Sequence, residues 1–307
     1  MPLDNLCFFF LMILIGYGAA RSGLVSDKAP DALPGVLLNI CYPGMVLHTF
    51  TTTDAETLLT TGLPTAAATL AVTGVLFFSS LLVFRRSPVS RRAYWRFVTG
   101  IGNVSYAAIP LLSVFLPSEA MLLCVIHGAV QDFLIWSLYH PLFLGSSAKS
   151  RKELVRKTLT SPSLIAAVAG VLLAVFQVQL PSFLQSTVNT LNTMTSPLAL
   201  LLLGTLICRY GALNWRRDRL AIQYALLKIV ALPFALFWIL WCFMDTEQAF
   251  LLAILFGSPA PLTGVVWCKE YGGDAELAVD CTICSTLMFL VVMSAVLLLG
   301  KTLGLVA

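Results

Sequence analysis

The sequence predicts an all-α membrane protein of ten transmembrane helices, built as two inverted five-helix repeats whose fourth and ninth helices are broken. Three observations carry that expectation. Apolar residues fill 58% of 307 positions and charged residues only 11%, with a mean hydropathy of +0.89. A soluble domain carries roughly 25% charged residues. The apolar positions also gather into ten runs, and the basic residues gather in alternate gaps between them.

The runs are 3–20, 33–50, 63–84, 96–116, 119–144, 161–180, 183–208, 220–243, 248–268 and 276–300. Each approximates the ~20 residues that cross a hydrocarbon core as helix. The first is read as a retained helix rather than a signal peptide. Asp4 is the only charge before it and Arg21 follows it, so the positive leader is missing.

The gaps set the expected orientation. Arg21 and Lys28 follow the first run. Arg85, Arg86, Arg91, Arg92 and Arg96 follow the third, and Lys149, Arg151, Lys152, Arg156 and Lys157 the fifth. Arg209, Arg216, Arg217 and Arg219 follow the seventh, and Lys269 the ninth. That is 17 of the 19 basic residues. The even gaps hold only Asp54, Glu56, Glu119, Asp245 and Glu247. By the positive-inside rule the odd gaps are cytoplasmic and both termini periplasmic in a bacterial inner membrane. These short basic gaps lack interleaved aromatic platforms, so nucleic acid is not an expected partner.

Ten runs divide into fives, 1–148 and 149–307, and an odd number of crossings inverts the second set. Gly16 and Pro43 stand as far apart as Gly170 and Pro197 in the corresponding runs. The fourth run reads Gly-Ile-Gly-Asn-Val-Ser-Tyr-Ala-Ala-Ile-Pro over 100–110, and the ninth reads Phe-Gly-Ser-Pro-Ala-Pro-Leu-Thr-Gly over 256–264. Interior proline removes a helix hydrogen bond and clashes with the preceding turn. Interrupted spans at matching places point to a central site, because unwound backbone at that depth must line a protein cavity. The expected substrate-binding residues are therefore Asn103, Val104, Ser105, Pro110, Ser258, Pro259, Pro261 and Thr263. A simple kink is the alternative.

Other chemistry is sparse. His48, His127 and His140 lack metal-ligand spacing, so no metal or cofactor is expected. The eight cysteines, including the Cys281–Cys284 CxxC pair, lie in or beside apolar runs and read as packing residues. A GxxxxGK[ST] phosphate loop is absent. Paired acids and a nucleophile with its base are also missing, so an intramembrane enzyme is the weaker reading. Asp132 and Lys228 are charges inside runs; they either pair with each other, reach an interface, or serve coupling and charge compensation. Ser186, Asn189, Thr193 and Ser196 share one face of the seventh run, which either lines a path or bonds neighbouring helices.

In its order of short motifs the chain resembles the auxin efflux carrier family, related by fold to bile-acid/sodium symporters. The motifs are Gly16-Tyr17, Asn39 with Pro43, Gly102-Asn103 with Pro110-Leu111, and Lys228 with Pro233. Pro259 with Tyr271-Gly272 and Ser285-Thr286 complete them. Ala107 and Ala108 stand where many relatives have glycine, and the central basic gap is short, as in bacterial members. The resemblance implies a scaffold of helices one, two, six and seven, with Asn39, Pro43, Asn189 and Thr193 as lining residues. Helices three to five and eight to ten would form a transport domain. It further implies a carrier for a mono- or dicarboxylate or auxin-like acid. Proton coupling, a lipid bilayer and a homodimer through the scaffold are the other expected partners. A sodium-coupled symporter would show a denser set of acidic and amide ligands at the crossing than Asn103 and its hydroxyl neighbours.

Overall fold

In the computed structural model, described over residues 2–26, 28–116, 120–144, 156, 159–210 and 219–305, the chain is helical throughout. In order the helices are α1 (Pro2–Arg21), α2 (Ala32–Thr51), α3 (Ala55–Arg86), α4 (Val89–Gly100), α5 (Val104–Phe115) and α6 (Met121–Leu144). They continue as α7 (Pro162–Val175), α8 (Ser182–Tyr210), α9 (Arg219–Trp241), α10 (Thr246–Phe256), α11 (Leu262–Tyr271) and α12 (Ala275–Thr302). Large apolar side chains such as Leu14, Phe78, Phe234 and Val291 stand exposed on the outer surface, as lipid rather than water requires.

The ten-span, two-repeat expectation is corrected here. Among the described residues six helices are long and apolar enough to cross a membrane: α2, α3, α6, α8, α9 and α12. A seventh is gained if α4 and α5, bent by 51° at their junction, count as one span. The apolar stretches Leu6–Arg21, Pro162–Val175 and Thr246–Phe256 form shorter helices. At 1.5 Å per residue, the 14 residues of α7 and the 11 of α10 rise roughly 21 and 17 Å, short of a ~30 Å core. The supposed ninth span falls into α10 and α11, which do not pass together as one bent span as α4 and α5 do, and no inverted two-repeat arrangement is evident. Hydropathy alone does not show where a helix ends; proline and glycine shorten the helix while leaving the hydropathy intact. The 148/149 boundary lies outside the described residues. So do Lys149, Arg151, Lys152, Lys157, Arg216, Arg217 and Glu119.

Proline shapes five of these helices in the same way, whereas Pro197 lies inside α8 without a π-helical turn. One-turn π-helical segments occupy Leu37–Cys41, Leu58–Gly62, Val104–Ala108, Ile135–Tyr139 and Leu227–Ala231. Each is followed two residues later by proline: Pro43, Pro64, Pro110, Pro141 and Pro233. A proline ring collides with the carbonyl four residues back and supplies no N–H. Widening the preceding turn to i→i+5 bonding removes the collision while most of the ladder continues.

Packing follows small residues. A Cβ on Gly16 of α1 would land on the Leu201 carbonyl of α8, and one on Gly204 would land on the backbone of Ile13 and Tyr17. These two glycines let α1 and α8 touch main chain to main chain, the usual device of helix pairs in lipid. At the arginine-rich end, Arg91 Nε donates to Asp274 Oδ2 at 2.7 Å. Asp274 also caps α12 through Leu277 N–H. That ties the start of α4 to the start of α12. Cys281 and Cys284 are both buried.

Candidate functional site: two helix breaks that meet

Two stretches of non-helical backbone lie in the protein interior. The first, 101–103, separates α4 from α5, and the second, 257–261, separates α10 from α11. Residues 100–104 and 251–261 are all buried. The breaks meet directly: Asn103 N–H donates to the Pro259 carbonyl at 2.7 Å. Gly102 is needed at the contact, since a Cβ there would strike the Ser258 hydroxyl.

The freed backbone groups are satisfied by neighbouring helices. Gln131 of α6 bridges the first break; its Nε2 donates to the Gly100 carbonyl and its Oε1 accepts from Gly102 N–H, both at 3.3 Å. Ser285 of α12 holds the second, its Oγ accepting from Ala260 N–H at 3.0 Å. The C-terminal carbonyls of α4 are capped in succession. Tyr224 O–H donates to Val98 at 3.3 Å, Lys228 Nζ to Thr99 at 3.2 Å, and Gln131 to Gly100. A lysine at that place faces the negative end of the helix dipole.

The opposite ends start at the same junction. Asn103 Oδ1 accepts from Tyr106 N–H at 3.3 Å and caps α5. α11 opens at Pro261 with no side-chain cap. First-turn N–H groups of two half-helices are thus brought to one locus, the arrangement that attracts anions at helix N-termini.

Of the expected substrate residues, Asn103, Ser258, Pro259 and Pro261 are brought together at the junction. Val104 opens α5 and Thr263 is the second residue of α11, while Ser105 and Pro110 follow on the π turn and just beyond it. Ser258 Oγ donates back to the Leu255 carbonyl at 2.6 Å, closing α10. Lys228 is buried at the end of α4. Asp132 is half-buried and lies by Ser163 at the start of α7, within electrostatic reach of Tyr42 and Tyr106. Among the described residues no ion pair joins Asp132 to Lys228.

Two cavities lie toward opposite ends of the α4–α5 pair. One, of about 750 Å³, runs from Arg91 past Trp95 and Tyr224 to Thr99 and Lys228. The other, of about 450 Å³, is lined by His48, Thr49, Ser113, Asn192, Thr193 and Ser196. Thr193 therefore lines a cavity, and Ser196 of the same stripe meets Ser113 of α5 at 2.8 Å. Pro43 is buried, whereas Asn39 and Asn189 are exposed and line neither cavity.

Sequence reasoning missed Gln131, Tyr224 and Ser285 as parts of this site. Gln131 had a signal, being an uncharged amide in an apolar run beside Asp132. Tyr224 stands one turn before Lys228, on the same face. Among the described residues no group of three His, Cys, Asp or Glu side chains could hold a metal.

The family model described as membrane transport protein matches residues 3–297. No match was found among curated proteins. With nearly the whole chain matched, and with spanning helices around an interior pair of breaks, the chain belongs to the membrane transport protein family, that of the auxin efflux carriers, and is a secondary transporter rather than an enzyme.

Proposed function

We propose that the chain carries a small organic anion, a mono- or dicarboxylate or an auxin-like acid, across the membrane by alternating access, with the anion held where the two breaks meet. The observation that carries this reading is the Asn103 N–H bond to Pro259 O. It sets the N-terminal starts of α5 and α11 beside each other. Positive dipole ends and unfilled first-turn N–H groups can bind a carboxylate there without a buried arginine.

The cavity that reaches Thr99 and Lys228 and the cavity beside Ser113 serve as the approaches from opposite ends in this reading. Lys228 on the Thr99 carbonyl stands where a free cation would otherwise meet the negative end of α4, which favours sodium-independent transport. The arginine-rich end faces the cytoplasm of a bacterial cell in this reading, and the far end of α12, whose start is tied to that arginine-rich end by the Arg91–Asp274 pair, faces the periplasm.

The test is uptake of labelled lactate, succinate and indole-3-acetate into liposomes holding the purified chain, with protein-free liposomes subtracted and pH, voltage or sodium gradients imposed. Uptake of at least one acid without sodium is expected, and Asn103→Ala or Pro259→Ala should lower it at least tenfold. Failure to carry any of the three, or strict dependence on sodium, would overturn the reading.

A further inference from the structure

The cavity of about 750 Å³ beside α4 has features that the anion site leaves unused. It is lined from three helices, α3, α4 and α9. Its lining runs from Leu76 to Ser87 on α3 and the turn after it, and from Leu220 to Leu232 on α9. At 1.5 Å per residue these stretches rise roughly 17 and 18 Å, about half of a ~30 Å hydrocarbon core. The cavity is therefore one leaflet deep.

Its wall is apolar along that depth, with Leu76, Val83, Phe84, Trp95, Leu227 and Leu232. Val83 and Leu227 are also 70% and 64% exposed, so the cavity opens sideways to lipid between α3 and α9. At the deep end Lys228 directs its ammonium onto the Thr99 carbonyl, and the four-carbon stem of a lysine is itself apolar.

The charge sits at the mouth. Arg91 lines the cavity there and is 35% exposed. Arg85 and Arg86, between the lining residues Phe84 and Ser87, are exposed as well. Asp274 takes only the Nε of Arg91. The guanidinium keeps its other N–H donors in a fixed fork, which suits a phosphate bidentately. Among the described residues no acidic side chain lines the cavity. Basic pockets at the ends of spanning helices recognise anionic headgroups in this way.

We propose that this cavity binds an anionic phospholipid from the leaflet on the arginine-rich side, with one acyl chain between α3 and α9 and its phosphate on Arg91. The depth of one leaflet fits the chain, the sideways opening gives it entry, and the guanidiniums select a negative headgroup. The chain then fills the cavity as far as Lys228, so a lipid and a transported anion cannot occupy it together.

Trp95 lines the cavity and reports on its occupant. The full chain is placed in phosphatidylcholine nanodiscs that contain a minor fraction of lipid brominated midway along one acyl chain. The emission of Trp95 is the wild-type signal less that of Trp95→Phe. Brominated phosphatidylglycerol should quench it at least twofold more than brominated phosphatidylcholine at the same fraction. Equal quenching by the two lipids means contact with bulk bilayer only and overturns the proposal.

Two variants place the lipid in the cavity. Arg91→Gln with Asp274→Asn removes the cation together with its partner, and asparagine still caps a helix. Ala231→Phe puts a ring into the cavity from an exposed lining position and changes no charge. In each, the preference for phosphatidylglycerol should fall to about one; a preference that survives in either overturns the proposal. Should the double variant fail to fold, Ala231→Phe decides alone.

Discussion

Asn103 and Pro259 are joined main chain to main chain, the amide N–H of one donating to the carbonyl of the other at 2.7 Å. A proline carbonyl is free for this role because the break leaves it without a helical donor. Substitutions at either side chain therefore act on the junction indirectly, through backbone conformation. The steric and polar neighbours of the junction give sharper tests.

Gly102→Ala should push the two breaks apart. The new Cβ would meet the Ser258 hydroxyl and stand 3.1 Å from the Ser258 carbonyl oxygen, so the neighbour cannot simply rotate away. Overpacking of this kind costs about 1–3 kcal/mol. Thermal unfolding in detergent should show that loss, and uptake should fall at least tenfold. Adding Ser258→Gly should return part of both; a double variant no better than Gly102→Ala would place the damage elsewhere.

Gln131→Leu is nearly isosteric but strands the Gly100 carbonyl and the Gly102 N–H. Each buried group left unpaired costs about 1–3 kcal/mol. Gln131→Glu keeps an acceptor for Gly102 and should lose less. Denaturant unfolding that ranks Leu and Glu equally would show that the bridge contributes nothing.

Lys228 and Asp132 should behave independently. Lys228→Met removes the donor to Thr99 O and Asp132→Asn alters a separate neighbourhood around Ser163. With no shared partner, their effects on stability should add within about 0.5 kcal/mol, and the double variant should not regain transport. Recovery in the double variant would mean that the two charges pair after all.

Asp54 gives a pH-dependent helix end outside the spanning segments. It caps the start of α3, accepting from Thr57 N–H at 2.7 Å and from the Thr57 hydroxyl at 3.0 Å. These bonds, the backbone one foremost, hold its carboxyl below the usual range. The folded value is the lower one, so the cap's contribution is complete above the unfolded value and fades as pH falls through the folded one. The difference in melting temperature between wild type and Asp54→Ala should be present at pH 6 and shrink below about pH 4. A constant difference across that range would show that the carboxylate is not the stabilising form.

How far the site was legible depends on the kind of signal. Gly102, Asn103, Pro110, Pro259 and Pro261 announce interrupted helix through backbone chemistry that each residue carries alone. Proline lacks a donor and clashes with its preceding turn wherever it stands. Lys228 was visible because an interior charge in an apolar run demands an explanation. Gln131, Tyr224 and Ser285 were not assigned, since capping a carbonyl on another helix depends on which helix lies beside it. The count of spans was misread for a related reason. Hydropathy sums over a run, whereas Pro162–Val175 and Thr246–Phe256 end where backbone geometry ends them.

The sequence by itself determined that this chain lives in lipid, that it is helical, and where two of its apolar runs are interrupted. Composition and the local chemistry of proline, glycine and charge act without knowledge of the fold. Tertiary structure alone decided that two distant breaks share one hydrogen bond, and that Lys228 caps Thr99 rather than pairing with Asp132. Those facts depend on interhelical distances of a few ångströms. Such distances are set by which small residues let backbones approach and which side chains must satisfy the freed carbonyls and amides, and no single stretch of sequence contains both partners.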